Sequence, residues 1–201
     1  MSTRGCPAGS VAGGSWWPTF AGGAATRRRP ATHGRTTSGT CARSSSRACE
    51  PPVLVAFSRG SSYALGYALQ FPDQVRGLVV GDYLARHVGL PAEFAEQQLR
   101  MDIRGIPVAE RMPEHAVRGV YAESRDVPLW DRLAELRCPV LVIRGGRRGS
   151  LLTDELAGRW QASLPSAQMA TIAGAGHDLW SRDPDAYLAV LLPFLERIGP
   201  G

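Results

Sequence analysis

The chain has 201 residues, of which 44% are hydrophobic and 20% charged, values typical of a globular protein with one ordinary domain. No apolar run approaches the ~20 residues that a membrane-spanning helix needs, so a membrane protein is not expected. Residues 1–50 contain seven Arg and one acid, Glu50, and sum to +6, whereas the remaining residues sum to −1. The folded part is therefore near neutrality, which argues against a nucleic-acid partner.

Residues 1–50 form a low-complexity, Arg-rich segment with almost no Val, Leu or Ile. Such a composition buries too little apolar surface to offset the entropy of ordering, so it predicts disorder. Every basic residue of the chain is Arg and none is Lys, as in a GC-rich bacterial gene, and the segment lacks the apolar stretch of a secretory signal. We therefore expect a bacterial, cytoplasmic protein.

From residue 53 onward, short apolar strands alternate with amphipathic helices, the pattern of βαβ units around a parallel sheet. The predicted strands are 53–57, 75–80, 140–143 and 168–172, and the predicted main helices are 61–71, 154–164 and 184–197. An insertion at 83–137 carries helical segments around 93–101, 114–124 and 129–136. Because such insertions lie at the carboxyl ends of the strands, we expect a lid over a ligand crevice. Residues 51–201 are thus predicted to form an α/β domain.

The first strand runs into Ser58-Arg59-Gly60 and then directly into a helix. This is the context of a G-x-S-x-G nucleophile elbow, with Ala56 in place of the first glycine. Small neighbours are expected because the turn holds the serine in a strained backbone conformation. A helix cap is the alternative interpretation of Ser58.

The residues that follow this turn resemble a known family. Residues 64–69 read ALGYAL and residues 71–80 read FPDQVRGLVV, an Ala/Leu-rich helix, a Pro-Asp turn and an apolar strand. From about 53 to 198 the chain resembles the serine-dependent α/β-hydrolase family. The resemblance implies a parallel-sheet core with Ser58 as nucleophile and the backbone N–H of Arg59 as an oxyanion donor.

His177 follows the last predicted strand on a glycine-rich loop and precedes the last helix. The family order along the chain is nucleophile, acid, then histidine, and the resemblance implies that His177 is the general base. His87 and His115 fall in the insertion and His33 in the N-terminal segment. We interpret these three as solvated or lid-packing histidines.

The carboxylate that orients the histidine in this family is not found at its usual position here. Its usual position follows the strand 140–143, where residues 144–152 read RGGRRGSLL without a carboxylate. Asp82, directly after the second strand, is the alternative position known in some members, and we favour it as the group that orients the imidazole. Asp154 is a second candidate, although Thr153-Asp154-Glu155 reads equally well as a helix N-terminus. Ser150, water or no third member also remain open.

The family takes a second oxyanion donor from a His-Gly loop after an early strand. Residues 1–50 contain no such strand, and the nearest traces are 9–18 (GSVAGGSWWP) and 33–36 (HGRT). One hypothesis is that residues 1–50 are a truncated or frame-shifted remnant of the front half of the fold. The other is a natural short variant whose basic tail binds an acidic partner.

The resemblance implies hydrolysis of a small ester, thioester or related acyl substrate through Ser58. No metal or organic cofactor is implied, and no His/Cys spacing of the sequence suggests zinc. Family members with other chemistries exist, so the fold does not fix the reaction. The alternative is a catalytically inactive or truncated remnant that acts as a scaffold or has no activity.

Overall fold

The centre of the protein is a parallel β-sheet, seen in a computed structural model that describes residues 50–103 and 105–199. The strands, in chain order, are β1 Val53–Phe57, β2 Gly77–Gly81, β3 Arg86–His87, β4 Asp102–Ile103, β5 Ile106–Pro107, β6 Val127–Pro128, β7 Val140–Gly145 and β8 Gln168–Ile172. Within the described residues, the sheet has four parallel strands in the order β1-β2-β7-β8. The parallel α/β core is confirmed, whereas all predictions for residues 1–49 lie outside the described ranges.

Helices connect these strands. They are α1 Arg59–Gln70, α2 Phe94–Leu99, α3 Val108–Arg111, α4 Glu114–Glu123, α5 Asp154–Ser163 and α6 Pro184–Ile198. Helix α6 begins with Pro184 after Asp183, whose side chain accepts the N–H of Ala186 at 3.0 Å, a favourable N-terminus. The last helical segment predicted in the insertion is a 3₁₀ helix, Trp130–Glu135. No helix in the described ranges is long and apolar enough to cross a bilayer.

Apolar layers cover both faces of the sheet because successive side chains of a strand point to opposite faces. Val80 and Val142 pack with residues of α1 and α5, including Trp160, in one cluster. On the other face, Val79 and Leu141 pack with residues of α6 in a second cluster. Strand β2 is buried along its whole length, whereas Val55 on β1 is 48% exposed. The sheet therefore holds β2 rigidly between β1 and β7.

The segment 83–137 begins and ends inside the core. Tyr83 and Trp130 are both buried, and the indole N–H of Trp160 donates to the carbonyl of Tyr83 at 3.1 Å. Strands β3 and β6 pair antiparallel and join the two arms of the segment. Beyond this ladder, α2 packs against α4, and the Tyr121 hydroxyl donates to Gln98 Oε1 at 3.0 Å. The part that extends beyond the core is thus shorter than the predicted insertion.

Candidate active site

Four loops leave the carboxyl ends of the sheet strands side by side. Ser58 lies in the loop after β1 and Asp82 in the loop after β2. Residues 146–152 form the loop after β7, and His177 lies in the loop after β8. Because the strands are parallel, all four loops meet at one edge, which is where open α/β sheets bind their ligands. The topology alone therefore brings the predicted site residues to one place.

Ser58 occupies a strained turn. Its φ of 52° and ψ of −137° lie in a region that non-glycine residues rarely adopt, at a cost of order 1–3 kcal/mol. The Ser58 N–H donates to the carbonyl of Gly81 at 2.8 Å, and the Gly81 N–H donates to Ser61 Oγ at 3.2 Å. These bonds to β2 hold the turn in place. Ser58 takes the N-cap position of α1 but makes no side-chain cap hydrogen bond, so capping does not account for its hydroxyl.

The Ser58 side chain meets His177 and, through it, Asp82. His177 Nε2 lies 3.0 Å from Ser58 Oγ, and His177 Nδ1 lies 2.8 Å from Asp82 Oδ2. The three residues are separated by 119 and 95 positions in the chain. In such an arrangement the imidazole can take the proton of the hydroxyl, and the carboxylate orients the imidazole.

Asp82 is the most enclosed member of the three. Its side chain has no exposed surface, and its φ of 46° turns the chain sharply after β2. Besides His177, the donors to its carboxylate among the described residues are the Ser150 hydroxyl and the N–H groups of Gly145 (3.4 Å), Leu151 (2.9 Å) and Leu152 (3.4 Å). A buried carboxylate needs such donors, and here they fix Oδ2 against the imidazole.

The loop after β7 contains no carboxylate. Instead, its residues donate hydrogen bonds to Asp82, which follows the neighbouring strand β2. Asp154 lies elsewhere: its side chain is 96% exposed and pairs with Arg144 at 2.6 Å. Thr153 caps α5 by accepting the N–H of Leu156 at 3.3 Å. Of the candidates left open by the sequence, the structure brings Asp82 to His177, adds Ser150 behind it, and places Asp154 in a helix N-terminus.

Aromatic packing holds the imidazole. The ring of Phe57, the residue before the nucleophile, stacks on His177 with centroids 4.8 Å apart. Trp180 packs edge-on against Phe57, with centroids 4.6 Å apart. Sequence reasoning missed both rings as site residues, although an aromatic residue directly beside the predicted nucleophile is a usable signal. They limit rotation of His177 between Ser58 and Asp82.

Gly145 allows the histidine loop to approach β7. A Cβ at Gly145 would lie 2.2 Å from the carbonyl oxygen of Gly176 and 2.6 Å from that of Ala175. We expect Gly145→Ala to push the loop away and to lower the free energy of unfolding by about 1–3 kcal/mol, measured by urea denaturation. Gly174→Ala is the control, because a Cβ there meets no atom within 4 Å. Equal losses in the two variants would contradict this account.

Arg59 opens α1, so its N–H is one of the helix N-terminal groups without an acceptor inside the helix. That position suits the predicted oxyanion donor. The sequence traces of a second donor, in residues 9–18 and 33–36, lie outside the described residues. Gly60 corrects one expectation: a Cβ there would meet no described atom within 4 Å, so crowding does not explain a glycine at this position.

The insertion histidines differ from each other. His115 is exposed, as a solvated histidine should be. His87 is only 5% exposed, and its ring nitrogens lie 3.0 Å from Ser62 Oγ and 3.0 Å from Arg59 Nη2. Of the two interpretations allowed by the sequence, packing at the base of the insertion is the one that describes His87.

A groove of about 480 Å³ lies at the opposite end of the sheet. It is lined by residues that precede or open β2, β7 and β8, among them Arg76, Val140 and Gln168, and by the last turns of α6. Since Ser58 and Asp82 follow the carboxyl ends of their strands, this groove is not the candidate active site. In the part of the chain that the structure describes, no cluster of three His, Cys, Asp or Glu side chains could hold a metal ion.

No protein-family model matches the sequence, and no curated protein matches it. Solved structures do match. MGS-M2, an α/β-hydrolase enzyme from a Medee basin deep-sea metagenome library, superposes with a TM-score of 0.57 at 16% identity, over 74% of this chain and 66% of that one. The chain has the α/β-hydrolase fold.

Two further structures share this α/β-hydrolase fold. MenH from S. aureus matches with a TM-score of 0.52 at 18% identity, over 74% of this chain and 69% of that one. The esterase RhEst1 from a Rhodococcus species matches with a TM-score of 0.51 at 16% identity, over 73% and 66%. The chain thus spans about two thirds of the length of these α/β-hydrolase structures.

Proposed function

We propose that this chain is a serine hydrolase that acts on a small ester, thioester or related acyl substrate. The observation that carries the proposal is the continuous hydrogen-bonded path from Asp82 through His177 to Ser58, with steps of 2.8 and 3.0 Å. A hydroxyl is a weak nucleophile until an adjacent base accepts its proton, and this geometry supports His177 as the base and Asp82 as the group that orients it.

The proposed reaction has two halves. Ser58 Oγ attacks the carbonyl carbon while His177 Nε2 takes the hydroxyl proton, and Asp82 stabilises the resulting imidazolium. The N–H of Arg59 donates to the oxyanion. His177 then gives the proton to the leaving group, which departs and leaves an acyl ester on Ser58. In the second half a water molecule gives a proton to His177 Nε2 and attacks the acyl ester. His177 then returns this proton to Ser58 Oγ as the ester bond breaks, and the acid product leaves.

Exposure supports substrate access from the histidine side. The side chain of His177 is 33% exposed, whereas that of Asp82 is fully buried. A substrate carbonyl can therefore approach Ser58 and His177 while the acid stays shielded from water. MGS-M2 is described as an α/β-hydrolase enzyme and RhEst1 as an esterase, which supports the ester class as the first one to test.

A fluorophosphonate probe tests the proposal directly, because it phosphonylates a serine that has been activated by a neighbouring base. We expect the full chain to be labelled stoichiometrically and the adduct to map by mass spectrometry to the peptide that contains Ser58. We also expect turnover of 4-nitrophenyl acetate. A folded preparation that takes up no probe and turns over no ester would favour the inactive scaffold instead.

A further inference from the structure

The Arg59 side chain forms a polar cluster that the proposed reaction does not use. Its Nη1 donates to the carbonyl of Val88 at 2.7 Å, and its Nη2 donates to Ser124 Oγ at 2.9 Å. Nη2 also lies 3.0 Å from His87 Nε2, and Nε donates to the Tyr63 hydroxyl at 3.2 Å. All three guanidinium nitrogens thus have acceptors within the described residues. We call Arg59, His87, Val88 and Ser124 the Arg59 clamp.

His87 must be neutral for this clamp to close. The Ser62 hydroxyl donates to the carbonyl of Arg59 at 2.8 Å, so Ser62 Oγ accepts the proton of His87 Nδ1 across 3.0 Å. His87 Nε2 then carries no proton and accepts from Arg59. Burial lowers the pKa of His87, and the positive charge of Arg59 lowers the same pKa further, against a weaker opposite effect of Asp126.

The clamp joins the nucleophile turn to both arms of the insertion. Val88 follows β3 on the outgoing arm, and Ser124 ends α4 on the returning arm. Ser124 Oγ also accepts the N–H of Leu90 at 2.8 Å, which ties the two arms to each other. The guanidinium of Arg59, the residue after Ser58, thus binds both arms of the insertion where they leave the core, at Val88 and Ser124. We call this part of the insertion the lid base.

We propose that the Arg59 side chain is a positioning group: it fastens the lid base to the nucleophile turn and thereby holds the Arg59 N–H in the orientation that receives the oxyanion. The catalytic part of this inference rests on the proposed serine hydrolase function, whereas the fastening does not. Donors that are fixed before the reaction stabilise an oxyanion better than donors that must reorient, which gives the clamp its catalytic value.

Protonation of His87 opens the clamp. It removes the acceptor at Nε2 and places a second cation beside Arg59. Among the described residues, the charged or titratable groups that face His87 include Arg59 and Tyr63 on α1 and Asp126 beside β6. Because the His87 pKa lies below its ordinary value of about 6.5, the clamp stays closed at neutral pH and opens on acidification below that value.

Amide hydrogen exchange tests the fastening. We expect Arg59→Met, which keeps an unbranched apolar stem and removes the guanidinium, to raise exchange at least about tenfold in residues 58–63 and 86–90. Arg118→Met is the matched control, since Arg118 binds Glu96 and Glu114 within the lid and does not contact the turn. Unchanged exchange at 86–90 in Arg59→Met, or equal acceleration in the control, would overturn the inference.

His87→Gln separates the clamp from a general loss of structure. The glutamine oxygen can accept from Arg59 but does not titrate, so exchange at 86–90 should match the unsubstituted chain at neutral pH. In mildly acidic buffer the protection factors at 86–90, which correct for the slower intrinsic exchange of amides at lower pH, should fall in the unsubstituted chain and stay unchanged in His87→Gln. Identical acid responses of the two proteins would contradict the role of His87, even if Arg59→Met fails to fold.

Kinetics test the positioning. For 4-nitrophenyl acetate, we expect Arg59→Met to lower kcat by roughly 10–100-fold and to change KM by less than about threefold, since the oxyanion exists only in the transition state. A loosened lid base with unchanged kcat would overturn the positioning role. If the unsubstituted chain takes up no fluorophosphonate, the proposed function fails, and hydrogen exchange still decides whether Arg59 fastens the lid.

Discussion

Replacing Ser58 by alanine is expected to abolish fluorophosphonate labelling and to lower kcat for 4-nitrophenyl acetate by up to about 10⁶-fold. The hydroxyl is the atom that lies 3.0 Å from His177 Nε2, and alanine leaves the imidazole with nothing to deprotonate. The remaining oxyanion donor and binding contacts account for any residual rate. Quantified gel fluorescence with the probe and initial-rate kinetics measure the two effects.

The control for this substitution is Ser166→Ala. Ser166 is exposed and lines the groove at the other end of the sheet, so labelling and turnover should persist. Urea denaturation should show that both variants keep the fold. Persistent labelling of Ser58→Ala at an unchanged rate would mean that another serine reacts, and the proposed nucleophile would have to be abandoned.

Asp82→Asn should be nearly as damaging, with a loss of roughly 10⁴-fold in kcat. An asparagine amide presents an NH₂ group either to His177 or to the donors of the 145–152 loop, so the imidazole loses the partner that fixes its tautomer. We also expect the free energy of unfolding to fall by about 1–3 kcal/mol, because a buried acceptor is replaced by a group that cannot satisfy every donor around it. The pH dependence of kcat and urea denaturation together measure both effects.

Asp154→Asn is the matched control for Asp82. It removes a carboxylate of the same kind from a side chain that is 96% exposed and binds Arg144 on the surface. Turnover should remain at the level of the unsubstituted chain. The opposite result, an active Asp82→Asn and an inactive Asp154→Asn, would assign the acid to Asp154 and show that the buried carboxylate has a structural role.

Local sequence patterns predicted much of the core. The strands β1 and β8 begin and end at the predicted residues, and α1, α5 and α6 lie within two residues of their predicted bounds. These elements are readable because alternation and amphipathic spacing report directly on burial. The turn at Ser58 was equally readable, since a strand, small residues and a helix follow one another without a gap.

The insertion was less readable. The segment predicted as its last helix is the 3₁₀ helix Trp130–Glu135, and Tyr83 and Trp130 belong to the core although both fall within the predicted lid. Their apolar side chains are consistent with either a lid or a core position. Packing against Trp160, which lies on α5, decided between the two.

Ser58 and His177 could be predicted as site candidates from the sequence by itself, because each lies in a turn whose chemistry is local: small residues around a strained serine, and glycines before an imidazole. The partner of His177 could not be predicted with the same certainty from local sequence. Asp82 directly follows an apolar strand and Asp154 opens a helix, and either position suits an orienting carboxylate. The tertiary structure brings Asp82 to His177, because its left-handed φ and the donors of a loop some 70 residues away aim one oxygen at the imidazole. Such an arrangement depends on contacts between distant segments, and no local pattern carries that information.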